Sequence, residues 1–172
     1  MEKILLPMNK DLTPEQLFLR YAVPCAFVLR QRGDVEDEMV AKLEMAAMGE
    51  EVVERDTIEK IFSAAFRRID KVAKEMGKDR WDTEVIREYF LNRHNQFIAE
   101  GDGEYARAPQ TLKDLCRVER AKVVSKHGSF YIVNLKDGKT RTVIPPFVHG
   151  AEVGDEIIIH YGYGVEGAKD FS

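Results

Sequence analysis

Apolar residues recur at three- and four-residue spacing through the first hundred positions and then switch to alternation. The first pattern is that of helices with one buried face, the second that of short strands. Thr13-Pro14-Glu15-Gln16 predicts a helix start, because Thr13 can cap, Pro14 suits the first turn and Gln16 completes a capping box. The helix predicted after it runs to about Arg32 and is apolar almost all round, with Leu17, Phe18, Leu19, Val23, Phe27, Val28 and Leu29. Such a helix is expected at the centre of a bundle. Pro24 lies inside it and is expected to kink or split it. Asp34 is the expected cap of a second helix, about Val35 to Met48, with Met39, Val40, Leu43 and Ala47 inward. The third, about Thr57 to Met76, carries the most regular stripe: Ile58, Ile61, Phe62, Ala65, Phe66, Ile69, Val72, Ala73 and Met76. Asp82 is placed to cap a fourth, Thr83 to Glu100, with Val85, Ile86, Tyr89, Phe90, Phe97 and Ile98 on its stripe.

Residues 101–110, GDGEYARAPQ, have the composition of a linker, and a short helical turn is expected at Thr111 to Leu115. Beyond it, Arg117–Ser125, Ser129–Leu135, Lys139–Ile144 and Glu156–Tyr161 read as strands rich in Val, Ile, Tyr and Phe. His127-Gly128 and Asp137-Gly138 are the expected turns, the second being the strongest hairpin signal in the chain. Gly162 and Gly164 are expected in tight bends after the last strand. So many short strands in under sixty residues must curl into a small barrel. The fold class expected is therefore α+β with segregated parts. A helical bundle domain (1–105) and a linker (106–114) precede a small OB-like β-barrel domain (115–172).

Charge narrows the function classes. Residues 116–172 hold eight Lys/Arg against seven Asp/Glu, and residues 1–115 hold 18 against 23. Neither part has the basic excess that drives general binding to phosphate backbones. The two cysteines, Cys25 and Cys116, form no disulfide framework and no Cys-x-x-Cys motif, which points to a reducing compartment. The longest apolar run, Tyr21 to Leu29, contains a proline and is far short of the roughly 20 residues that span a bilayer. A soluble cytoplasmic protein is the expectation. Gly-rich phosphate loops, Gly-x-Ser-x-Gly and His-Glu-x-x-His are all absent from the sequence, and no nucleophile–base pair stands out. Cys25 reads as a core side chain, and His94, in Leu91-Asn92-Arg93-His94-Asn95-Gln96, as solvated surface.

Three segments of the last third carry a resemblance. Leu115-Cys116 is followed by Lys122-Val123-Val124, and the end reads Val153-Gly154-Asp155-Glu156-Ile157-Ile158-Ile159-His160-Tyr161-Gly162-Tyr163-Gly164. This resembles the small hydrogenase-maturation chaperones of the HypC/HupF family, which start Met-Cys, continue with a Lys-Val-Val strand and close on a Val-Gly-Asp…His-x-Gly segment. The resemblance leaves the helical part uncovered. It implies an OB-like barrel of five or six strands, and a carrier that holds iron with its cyanide and carbon monoxide ligands for a hydrogenase precursor. It also implies that Cys116 and His160 touch that cargo, a soft thiolate and an imidazole both suiting low-valent iron. The chain departs from the family in placing its cysteine inside the chain, and Arg120 stands where the family has proline.

The sequence thus supports a protein-binding or chaperone-like role with iron as the implied cargo and Cys116 and His160 as its metal ligands. A client protein is the expected partner, and the helical part offers a surface for self-association. The alternative is a barrel that binds single-stranded nucleic acid through Lys122, Phe130, Tyr131, Arg141, Tyr161 and Tyr163.

Overall fold

A computed structural model describes residues 12–148 and 150–167. Helices come first and an antiparallel sheet follows, so the fold is α+β with the two kinds of element segregated along the chain. Contacts divide the chain into two compact units, one formed by Thr13–Arg117 and the other containing the strands from Val118 onward.

The helical unit contains α1 (Pro14–Gln31), α2 (Asp37–Ala47), α3 (Arg55–Ile61), α4 (Ser63–Met76), α5 (Thr83–Glu88), α6 (His94–Ala99) and α7 (Gln110–Cys116). The capping box at the start of α1 forms as expected: Gln16 N–H donates to Thr13 Oγ1 at 3.2 Å, and Thr13 N–H to Gln16 Oε1 at 3.0 Å. α1 runs unbroken through Pro24, which is buried. Packing on nearly every side holds the helix together where the proline removes one hydrogen bond. Phe18 is the hub of this packing, with ring centroids 4.7 Å from Phe66, 5.4 Å from Phe62 and 5.9 Å from Trp81. Tyr21 stacks on Phe90 at 4.7 Å.

The structure differs from the periodicity in three places. The second helix is capped by Glu36 rather than Asp34, without a side-chain bond. The third predicted helix is two, broken at Phe62, whose backbone (φ −103°, ψ 39°) leaves helical space. That break lets Phe62 join the cluster around Phe18 and re-aims α4. The fourth contains a π-helical turn, Tyr89–Arg93, between α5 and α6. His94 follows that turn and is buried, its ring 5.6 Å from Tyr89 and 5.8 Å from Phe90, not solvated. The spacing explains this: His94 is four residues after Phe90 and three before Phe97, so it lies on the apolar stripe itself.

The stretch with linker composition is ordered. It holds a 3₁₀ turn, Gly103–Ala106, with Tyr105 buried, and then α7.

The second unit is a five-stranded antiparallel sheet: β1 (Val118–His127), β2 (Phe130–Asn134), β3 (Thr140–Val143), β4 (Glu156–His160) and β5 (Tyr163–Gly167), in the order β3-β2-β1-β4-β5. The Asp137-Gly138 turn forms as its sequence demands, with Gly138 at φ 85°. The sheet is open. Between its edge segments runs one isolated parallel bridge, Ile144 to Tyr163, with Ile144 N–H donating to Gly162 O at 2.8 Å and Gly164 N–H to Ile144 O at 2.9 Å. β5 is an addition to the expected strands. Gly164 is inside it, where a Cβ would lie 2.6 Å from Val148 Cγ2, so close packing explains this glycine and a bend does not. The hydrophobic cluster of the unit comprises Ala121, Val123, Tyr131, Val133, Leu135, Val143, Val148, Ile157 and Ile159, and the strands also bury two polar residues, His160 and Glu166.

Candidate functional site: paired thiols in the helical unit

Two residues 91 positions apart in sequence meet in the helical unit. Cys25, on α1 directly after Pro24, and Cys116, the last residue of α7, have their sulfurs within 4.8 Å of each other. Cys116 is 1% exposed, while Cys25 is half-buried. The hydroxyl of Tyr105 lies 2.9 Å from Cys116 Sγ.

Tyr105 is held by charge. Arg68, on α4, is 2% exposed, a position that a guanidinium occupies only when its donors are satisfied. Its Nε donates to Asp102 Oδ2 at 2.7 Å. Its Nη2 donates to the Asp102 carbonyl at 3.2 Å and to Glu104 Oε2 at 2.9 Å. Asp102 precedes the 3₁₀ turn that carries Tyr105 and Glu104 lies within it, and the Arg68 guanidinium lies over the Tyr105 ring, 4.8 Å from its centroid. Arg67 adds a two-pronged grip on Asp102, at 2.7 and 3.3 Å. The order of cause is therefore Arg68, Asp102 with Glu104, Tyr105, Cys116.

Protonation follows from these contacts. The hydrogen bonds from Arg67 and Arg68 hold the Asp102 carboxyl well below the usual carboxylate range. Burial alone would lower Arg68, but its bonds to Asp102 and Glu104 and its neighbouring charges outweigh that and raise it. The hydrogen bond with Cys116, and then burial, push the Cys25 thiol well up. Burial, with the adjacent thiols, pushes the Tyr105 hydroxyl up too. At neutral pH Cys25 is a protonated thiol, with Cys116 and a protonated phenol beside it and a fixed cation behind the phenol ring. Soft metal ions displace such protons, and small disulfides exchange with a thiol once it has lost its proton.

The other expected site residues lie in the sheet. His160 ends β4, is fully buried and stands opposite Val118 of β1. The residues of the expected binding surface do not collect on one face. Lys122 and Phe130 point outward, Phe130 against His127 at 5.4 Å. Tyr131 is in the core with Lys126 over its ring. Arg141 shares the face of Val133, faces Glu119 at 3.9 Å and donates to the Tyr161 carbonyl at 3.3 Å. Tyr161 and Tyr163 are half-exposed, and Tyr161 sits at φ 53° in the turn between β4 and β5.

Sequence reasoning missed Cys25, Tyr105 and Arg68. Nothing local marks Cys25, which reads as one apolar position among many. A signal did exist for Arg68: it is three residues after Ala65 and four before Val72, on the buried stripe, where a charge needs partners. Among the described residues, no helix is long and apolar enough to cross a membrane. No protein-family model, no curated protein and no solved structure matches the chain.

Proposed function

We propose that this is a chaperone-like binding protein of metallocentre assembly, and that the paired thiols of its helical unit hold the metal it carries. The carrying observation is the approach of Cys25 and Cys116 to within 4.8 Å. Two thiolates each about 2.3 Å from one ion stand at most about 4.6 Å apart, so the pair fits a shared soft cation with little movement. Iron is the cargo that the hydrogenase-maturation resemblance implies, and thiolate ligation suits it. A single mobile cysteine serves the resembling family; here a second thiol from α1 supplies a donor that the internal position of Cys116 needs.

His160 is the other ligand the resemblance implies. The β1–β4 register sets it opposite Val118 within the sheet. The small-barrel character of the sheet belongs to the same reading, supported by the Ile144–Tyr163 bridge. The client would be a metalloenzyme precursor, received as a protein partner.

The test is retention of iron. Metal-free protein, loaded with Fe(II) under anaerobic conditions and passed through a desalting column, is expected to keep iron in stoichiometric amount. Cys25→Ser and Cys116→Ser are each expected to lose it, and His160→Ala serves as a separate arm for the imidazole. Equal retention by wild type and both cysteine variants would end the proposal.

A further inference from the structure

A pair of thiols this close has a second chemistry that needs no metal. We infer that Cys25 and Cys116 form a dithiol–disulfide couple, oxidised by low-molecular-weight disulfides such as glutathione disulfide, which covalently ties α7 to α1. The inference uses the same sulfurs as the metal reading but does not rest on it.

The asymmetry of the pair gives the order of events. Cys25 is the less buried residue of the pair, so a small oxidant reaches it more readily than Cys116, which is 1% exposed. Attack by the Cys25 sulfur on the oxidant's S–S bond forms a mixed disulfide and releases one small thiol. Attack by Cys116 on the Cys25 sulfur then forms the internal bond and releases the second. The protein loses two thiol hydrogens and two electrons, and the oxidant's disulfide becomes two thiols.

The structure also supplies the movement. A disulfide needs its sulfurs about 2.05 Å apart, so the pair must close from its present separation. Cys116 is the final residue of a seven-residue helix and its only buried side chain, and the next residue, Arg117, is already extended (φ −64°, ψ 137°). A short helix anchored through one residue can shift with that residue. Tyr105, whose hydroxyl is 2.9 Å from Cys116 Sγ, would lose its partner on closure, and reduction restores it. The bridge would close the chain from position 25 to position 116. So long a loop gives a large constraint on the unfolded chain, expected to raise Tm by roughly ten degrees.

The experiment uses full-length, metal-free protein, so failure of metal binding cannot affect it. The protein is incubated with glutathione disulfide, the residual thiols are alkylated, and intact mass and disulfide-linked peptides are read. The inference expects loss of two hydrogens, no alkylation, a cross-linked peptide joining Cys25 to Cys116 within one chain, and a raised Tm that dithiothreitol reverses. Cys116→Ser is expected to stop at the glutathione adduct on Cys25, and Cys25→Ser to stay unmodified. Two alkylated thiols in the oxidised wild type, a stable glutathione adduct there, or a bridge between two chains would overturn it. The wild-type mapping decides the matter even if a variant fails to fold.

Discussion

The helical unit and the sheet unit bury different things. The sheet's hydrophobic cluster is hydrocarbon plus one tyrosine ring, and His160 and Glu166 are the polar residues its strands bury. The helical unit buries an arginine, and around it stand Asp102, Glu104, Tyr105 and the two thiols. A hydrocarbon cluster is indifferent to pH and redox state, whereas a cluster of paired charges and thiols responds to both. The comparison relocates the chemistry: the resemblance lies in the strands, yet the clustered reactive groups lie mostly among the helices.

The largest expected effect comes from breaking the buried charge pair. Asp102→Ala leaves Arg68 with Glu104 as its remaining carboxylate partner, and should cost about 3–5 kcal/mol in urea unfolding. In the sheet the corresponding cut is Ile157→Ala, which opens a cavity at a fully buried position and should cost about 2–4 kcal/mol. The difference between the two sharpens with acid. Asp102 is depressed in the folded state, so its contribution is complete above the ordinary carboxyl value of 3.8 and is lost as pH falls below it towards the folded value. The wild type should lose stability over that window more steeply than Asp102→Ala. The stability cost of Ile157→Ala, measured against wild type, should not change with pH there.

Smaller effects test the close contacts. Gly164→Ala drives a methyl into Val148 and should cost about 1–3 kcal/mol, a penalty that Val148→Ala relieves. Tyr105→Phe removes the hydroxyl beside Cys116 and should cost about 1 kcal/mol by thermal unfolding.

The sequence made the helices, their order and four of the strands legible, because each depends on spacing and local turn chemistry. Thr13 and Asp82 cap as their side chains require. The break at Phe62 was hidden because its residue type fits a helix, and the aromatic cluster that competes for it is assembled from other helices. β5 was hidden because Gly164 weakens a strand signal and reads as a bend, although close packing against Val148 is what requires it. Of the candidate site, Cys116 was legible through the resemblance alone. Its partner Cys25 lies on a helix whose apolar surround gives a cysteine no distinguishing mark, and only tertiary packing brings the two sulfurs together.

The claim that the two thiols act as one soft-metal site is tested most directly by Co(II), whose thiolate complexes absorb by charge transfer in the near ultraviolet. Titration of the metal-free, reduced protein should produce that band to a stoichiometric endpoint, and either Cys25→Ser or Cys116→Ser should abolish or sharply weaken it. No band in the wild type, or an undiminished band in both variants, would contradict the account.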